Sequence, residues 1–155
     1  MSGNNEKIEW IKWDDKYKIG YKRIDDQHKE LVNIINSLYN CIGYSSSEDK
    51  KLKEAFKNAL KKTVDYVSYH FSYEEKIMSA VKYRRLLEHS SSHREFTQTI
   101  YDYVQSYENG SLEAVHNLVK YLRDWLLNHV LISDKEFVIE VIETLKELSQ
   151  QNNNE

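Results

Sequence analysis

Five of the six histidines and two carboxylates fall at spacings that place metal-ligating side chains on inward faces of helices. These seven residues are His28, His70, Glu74, His89, His93, His129 and Asp134. A spacing of four puts two side chains on one helix face, one turn apart, so the pair 70 and 74 and the pair 89 and 93 can each present two donors to one point. Burying so many polar groups is unfavourable unless they have partners. The pattern therefore predicts a metal site inside a helical bundle.

Helix geometry indicates which carboxylates can lie on the same face as the histidines. Glu75 rivals Glu74, but it lies about 100° further round the helix. Asp134 follows His129 by five residues, which is about 140° away on a continuous α-helix. It can join His129 only if the helix breaks between them, and Ser133 as the cap of a last helix predicts such a break. His116 lies off the apolar stripe of its own helix, and we expect it at the surface.

The chemistry of the donors narrows the choice of metal. The set contains no thiolate, which disfavours structural zinc and iron–sulfur centres, and the zinc-protease motif HExxH is absent. Five imidazoles do not suit magnesium or calcium. Seven ligands exceed the shell of one ion but suit two octahedral irons. With both carboxylates and one oxo or hydroxo group as bridges, one of the coordination positions stays open for a small ligand.

Apolar residues recur at steps of three and four, which predicts helices over 24–42, 52–81, 86–107 and 112–129, followed by a last helix. We expect Asp25 and Ser111 to be N-caps, Gly43 and Asn109-Gly110 to end helices, and the second helix to begin between residues 51 and 53. The predicted fold is all-α: an up-down-up-down four-helix bundle with an N-terminal arm over 1–23 and an additional C-terminal helix. We expect a single domain over 1–155, with a frayed tail at 150–155.

Bundle topology also predicts that the seven residues lie at one level. In antiparallel helices, residues equidistant from a turn stand side by side. The motifs at 70–74 and 89–93 are equidistant from position 82, and those at 89–93 and 129 are equidistant from Gly110. His28 lies near the start of the first helix, at the same end. The seven residues should therefore form one layer.

The composition excludes several other classes of protein. The 155 residues include no proline and four glycines, too few turn residues for most sheet folds, and no phosphate-binding glycine loop. The net charge of −3 gives no reason to expect a nucleic-acid partner. No apolar run is long enough to span a membrane. The single cysteine, Cys41, cannot form an internal disulfide, and the N-terminus lacks an apolar signal core, so we expect a cytoplasmic protein.

Three motifs resemble the hemerythrins: HFxxEE at 70–75, HxxxH at 89–93 and WLxxHxxxxD at 125–134. The opening segment, from W13 to D25-D-Q-H28-K-x-L31, resembles that of the bacterial members, the bacteriohemerythrins. The resemblance covers about residues 10–140. This chain departs from the family in a polar insertion around 43–53, in having no proline after Tyr83 and in a long final helix.

The resemblance implies a role for each residue. His89, His93 and His129 would hold the coordinatively saturated iron, His28 and His70 the iron with the open position, and Glu74 and Asp134 would bridge the two. An apolar oxygen pocket would be formed by Leu31, Phe71, Trp125, Leu126 and Val130. The resemblance implies that this pocket excludes water and anions from the bound oxygen.

The function that the resemblance implies is reversible dioxygen binding at a non-haem di-iron centre, for transport, storage or sensing, and not an enzymatic reaction. Nitric oxide and small anions such as azide are further candidates for the open iron. Two alternatives stay open: a di-iron enzyme (an oxidase, a peroxidase or a nitric oxide reductase) and iron storage or buffering. Carboxylate-rich di-iron enzymes in bundles use two Glu-x-x-His motifs, which are absent from this ligand set, and neutral imidazoles favour ferrous iron. Both points favour binding over catalysis.

Overall fold

The computed structural model describes residues 7–45, 48–108 and 113–154. Within these ranges every regular element is a helix, which confirms the predicted all-α class. The elements are a 3-10 turn at Asp15–Tyr17, α1 (Lys22–Asn40), α2 (Ile42–Ser45), α3 (Lys50–Ala80), α4 (Leu86–Glu108), α5 (Glu113–Asn128), a π-helix (His129–Asp134) and α6 (Lys135–Asn152). No helix of the described segments has the length and apolarity that a membrane crossing requires.

The four long helices α1, α3, α4 and α5 form the predicted bundle. Each packs against the next along the chain, and α5 returns to contact α1, which closes the four-helix arrangement. The additional helix α6 continues from α5 through the π-helix and packs on α3. Short connections between long helices produce this antiparallel order.

The apolar core is divided into two clusters. The larger one is built around Leu31, Phe56, Phe96 and Leu122, and the smaller one around Ile24, Met78, Phe137 and Val141. On α1 and α4 the predicted ligand positions lie between residues of the two clusters, and on α3 Glu74 lies between Phe71 of the larger cluster and Met78 of the smaller one. The polar layer is therefore enclosed by apolar side chains on both sides, and this enclosure removes it from water.

The N-terminal arm lies along α1 and is held by paired polar contacts. The side chain of Asn36 accepts from the amide of Ile11 at 2.7 Å and donates to its carbonyl at 2.8 Å. Asn40 pairs in the same way with Ile8 at 2.9 Å. Trp10 stacks on Tyr39 with ring centroids 4.6 Å apart. The aromatic residues of the arm thus bury area against the bundle.

The start of α1 differs from the prediction. The helix begins at Lys22 with Tyr21 at the N-cap position, so Asp25 is not a cap. Its buried carboxylate instead accepts from the amides of Ile19 at 2.8 Å and Gly20 at 3.3 Å, which fixes the end of the arm onto the helix. Gly20 has a φ of +92°, a conformation that side chains with a Cβ rarely adopt.

Other boundaries were partly wrong. Gly43 does not end the first helix, because α1 stops at Asn40 and Gly43 lies within α2. The second long helix starts at Lys50, one residue before the predicted range, and the Asp49 carboxylate caps it by accepting from the amide of Lys51 at 2.8 Å. The predicted signals at Asn109-Gly110 and Ser111 lie outside the described residues. Helix α6 extends to Asn152, so the tail predicted from residue 150 is helical over its first three residues.

Candidate metal centre

The structure brings the seven predicted side chains together in one buried cluster. His28 comes from α1, His70 and Glu74 from α3, and His89 and His93 from α4, while His129 and Asp134 come from the two ends of the π-helix. None of the seven is more than 6% exposed. Their donor atoms fall into two groups, and the atoms within each group lie within 4.8 Å of one another. Whether these groups bind metal is a proposal developed below.

The connection between His129 and Asp134 differs from the prediction. No helix break separates them, and Ser133 does not cap a new helix, because the chain passes through a π-helix directly into α6. Hydrogen bonds in a π-helix run between residues five apart, which brings such residues onto the same face. His129 Nε2 consequently lies 2.9 Å from Asp134 Oδ1.

One group of donors contains two histidines. Glu74 Oε1 lies 3.0 Å from His70 Nε2 and 3.6 Å from His28 Nε2. Asp134 Oδ2 lies 2.8 Å from His28 Nε2 and 3.9 Å from His70 Nε2. This group is called the two-histidine group below.

The other group contains three histidines and uses the remaining oxygen of each carboxylate. Glu74 Oε2 lies 3.3 Å from Nε2 of both His89 and His93. Asp134 Oδ1 lies 3.1 Å from His89 Nε2 and 2.9 Å from His129 Nε2. This is the three-histidine group. Each carboxylate thus directs one oxygen to each group, which is the geometry of a bridging ligand.

The carboxylates and imidazoles strongly affect one another's protonation. Burial alone would raise the pKa of Glu74, but the charge of His70 and hydrogen bonds from the surrounding imidazoles hold that pKa well below its usual range. The pKa of Asp134 is also lowered, because His129 and His28 outweigh its burial and the nearby charge of Glu74.

The pKa values of three of the histidines are shifted, and not all in the same direction. Burial would lower the pKa of His28 and of His89, yet hydrogen bonds to Asp134 and Glu74 raise both values to about 9. For His93 burial dominates, and its pKa is lowered. Both carboxylates are therefore ionised in the folded protein, as metal ligands must be.

The donor atoms are arranged as they would be around a pair of metal ions, and not as partners in hydrogen bonds with one another. Glu74 Oε1 and Asp134 Oδ1 lie 3.0 and 2.9 Å from imidazole nitrogens, yet among the described residues neither oxygen receives a well-aligned hydrogen bond. The Nε2 atoms of His93 and His129 face each other at 3.1 Å, where at most one of them can donate. Atoms this close with poor hydrogen-bond geometry are aimed at a common centre. Imidazole and carboxylate donors without thiolate suit iron.

Two further side chains approach the Nδ1 atoms of two of these imidazoles, on the side of the ring opposite the carboxylates. The first is Gln27, whose Oε1 lies 2.7 Å from His70 Nδ1. Gln27 was not identified from the sequence, although it lies beside His28 and one turn before Leu31 on the inner face of α1. Glu75 lies outside both groups, as the helix-face argument predicts. It is about one-third exposed, and its Oε1 is 3.5 Å from His93 Nδ1, on the side away from the carboxylates. His116 is exposed, as predicted.

A small apolar cavity of about 10 Å³ adjoins the centre. Four of the five predicted pocket residues line it, namely Leu31, Phe71, Trp125 and Leu126, together with Ile35, Val67, Phe96, Leu122, His70, His129 and Asp134. Val130 is buried in the surrounding apolar core but is not a lining residue. Phe71 stacks on His93 with centroids 3.8 Å apart, and Trp125 stacks on His129 at 4.1 Å. These aromatic rings hold the ligand imidazoles in place.

Residues 19–138 match the family described as the hemerythrin HHE cation binding domain. The chain belongs to the hemerythrin family. The fold also matches a solved structure: a crystal structure of a point mutant of another protein superposes with a TM-score of 0.73 at 22% identity, covering 86% of this chain and 98% of the other.

Several hemerythrins are similar to this chain over most of its length. The bacteriohemerythrin of Pseudomonas aeruginosa is 29% identical over 88% of this chain and 84% of its own. That of Methylococcus capsulatus is 31% identical over 72% of this chain and 80% of its own. Myohemerythrin-1 of Phascolopsis gouldii is 26% identical, and the alignment covers 81% of this chain and 89% of the relative. The similarity thus extends to both bacteriohemerythrins and a myohemerythrin.

Proposed function

We propose that the seven clustered side chains hold two iron ions with a bridging oxo or hydroxo group, and that the protein binds dioxygen reversibly at one of them. The observation that carries the proposal is the unequal division of the imidazoles. Glu74 and Asp134 supply one oxygen to each group, but three histidines complete one group and two complete the other. The two-histidine group would therefore give its iron one protein ligand fewer, which would leave a position there for a small molecule.

When bound, the iron pair supplies dioxygen with a coordination position and two electrons. The chain supplies the surroundings. His70 of the two-histidine group borders the apolar cavity, whose other walls include Leu31, Phe71 and Leu126. Apolar walls offer no hydrogen bonds to water or to anions, so a neutral diatomic molecule is the favoured occupant. Nitric oxide shares these properties, and azide tests the same position with a charged ligand.

Enzymatic turnover is the second candidate, but no residue of the cavity favours it. The side chains near the open side are aliphatic or aromatic, and no acid or base other than the ligands themselves lines the cavity within the described residues. Cleavage of an oxygen–oxygen bond needs proton delivery, which an apolar wall does not provide. We therefore propose binding for transport, storage or sensing. A cytoplasmic location stays a prediction.

The test begins with metal content. The protein is loaded anaerobically with ferrous iron, freed of excess metal and analysed for iron and zinc. We expect two irons per chain. One metal per chain, or zinc alone after expression in iron-replete cells, would contradict the proposal.

The second measurement separates binding from catalysis. The ferrous protein is mixed with dioxygen in a stopped-flow spectrometer, and the product is then purged with argon. A stable spectrum that reverts on purging indicates reversible binding. Rapid conversion to the ferric protein, with consumption of further oxygen when reductant is added, indicates an enzyme instead.

A further inference from the structure

A buried amide connects two helices behind the two-histidine group. Gln27 of α1 is 4% exposed, and its Oε1 lies 2.7 Å from Nδ1 of His70 on α3. His70 Nε2, on the opposite side of the same ring, lies 3.0 Å from Glu74 Oε1. The ring is thus contacted on its two nitrogens by groups from different elements.

The chemistry of these contacts determines which ring nitrogen of His70 carries the proton. A carbonyl oxygen only accepts hydrogen bonds, so the Nδ1 atom facing it carries the proton. In a neutral imidazole the other nitrogen then presents its lone pair. For His70 that lone pair is directed at the carboxylate oxygens of the site. We propose that Gln27 is a positioning residue that fixes the tautomer and orientation of His70 for binding metal in the two-histidine group; this inference rests on the proposed di-iron site.

The environment of Gln27 supports a functional reason for its presence. Its Nε2 is buried and has no hydrogen-bond partner among the residues that the structure describes. A buried amide that satisfies only its carbonyl is destabilising compared with an apolar side chain of similar size. Folding alone therefore does not account for a glutamine here, whereas support of a ligand imidazole does.

The contact also distinguishes the two histidines of this group. Within the part of the chain that the structure describes, Nδ1 of the other histidine, His28, has no hydrogen-bond partner. Gln27 therefore provides the hydrogen bond that supports this group from behind. Because the amide is neutral, it orients His70 without adding negative charge. A carboxylate at the same place would transfer charge toward the metal and favour its oxidised state.

The first experiment measures metal release. Wild type, Gln27→Leu and Gln27→Glu are loaded anaerobically with ferrous iron, and the release of each iron to a ferrous chelator is followed. Thr63→Val is the matched control, because Thr63 is also buried and polar but donates only to the carbonyl of Ala59 at 2.9 Å. In Gln27→Leu we expect one of the two irons to be released about 10- to 100-fold faster. Gln27→Glu, which keeps the acceptor, should restore slow release.

The second experiment reports on the proton itself. In the zinc-loaded protein, nitrogen-15 NMR should show a slowly exchanging Nδ1 proton on His70 in wild type and in Gln27→Glu. The exchange of that proton should become fast in Gln27→Leu, while circular dichroism shows the same helix content. Equal iron release and equal exchange in wild type and Gln27→Leu would overturn the inference, as would the same acceleration in Thr63→Val. If wild type itself binds fewer than two metals, the proposed di-iron site fails first, and the inference fails with it.

Discussion

Glu74 and Glu75 provide a matched test of the centre, because they are adjacent on α3 and carry the same functional group. Glu74 is fully buried and approaches four imidazoles at 3.0 to 3.6 Å, two in each group. Glu75 approaches only His93, at 3.5 Å and from behind. Replacing each with glutamine keeps the volume and removes the charge. We expect Glu74→Gln to lose both irons and Glu75→Gln to retain both.

The size of the effect follows from the number of sites that each carboxylate serves. A metal present at about 1,000 times its dissociation constant stabilises the folded protein by about 4 kcal/mol. For a chain of this size, 1 kcal/mol corresponds to about 2–4 °C in the melting temperature. Since Glu74 belongs to both groups, its replacement should lower the melting temperature of the loaded protein by about 16–32 °C. Glu75 belongs to neither group and makes no well-aligned hydrogen bond to His93, so the melting temperature of loaded Glu75→Gln should stay close to that of wild type.

The assay is elemental analysis with calorimetry on protein loaded with ferrous iron under argon. The metal-free forms are melted in parallel, so that any intrinsic effect of each substitution is subtracted. Similar iron content and similar metal-dependent shifts in the two variants would refute the assignment of Glu74 as the shared ligand. Loss of only one iron from Glu74→Gln would show that this carboxylate serves one group rather than both.

Three other predictions concern the surroundings of the centre. Leu126→Asn should keep two irons but oxidise in air much faster than wild type, because a polar wall admits water. The measurement is the decay of the visible absorption of the oxygenated protein, with Leu126→Met as the control. Equal decay in all three proteins would contradict a shielding role for Leu126. Asp25→Ala should lower the free energy of unfolding by roughly 1–3 kcal/mol in urea denaturation, since it leaves the amides of Ile19 and Gly20 without their acceptor. Asp26→Ala, which removes an exposed ion pair with Lys22, is the control and should leave the unfolding midpoint nearly unchanged. Gly20→Ala should cost roughly 1–2 kcal/mol in the same measurement, because the backbone there is left-handed; an unchanged midpoint would mean that the turn relaxes.

The sequence was sufficient to predict the bundle and the convergence of the seven side chains, because both depend on periodicity. Apolar steps of three and four specify which face of each helix is buried, and motifs equidistant from the turns must lie at one level. Hydrogen bonds between a side chain and the backbone of another segment are not periodic, which explains the error at Asp25. A carboxylate at the start of a helix resembles a cap in sequence, but the carboxylate of Asp25 folds back to the arm.

Contacts made by a single side chain could not be predicted from the sequence either. Gln27 has the spacing of a core position, yet its role depends on the distance between α1 and α3, which no local pattern encodes. The cavity shows the same limit. Leu126 and Val130 are one turn apart and both are buried, but only Leu126 lines the space beside His70. Which of two neighbouring apolar residues borders a cavity depends on how the helices cross.

The spacing of five between His129 and Asp134 left two structural solutions, a broken helix or a widened one. The segment from Trp125 to Phe137 contains neither proline nor glycine, so it carries no residue that terminates a helix. It is also apolar on both sides of the π-helix, with Leu126 in one core cluster and Phe137 in the other. A break would expose backbone groups between those two cores, whereas a π-helix keeps them hydrogen-bonded and still turns Asp134 toward His129. The same spacing of five separates His70 from Glu75 within α3, where the turn is an ordinary α-helix and Glu75 lies outside both groups. The spacing alone therefore does not specify the widened turn; at His129 and Asp134 it is accompanied by the two apolar cores that the chain must keep packed on either side.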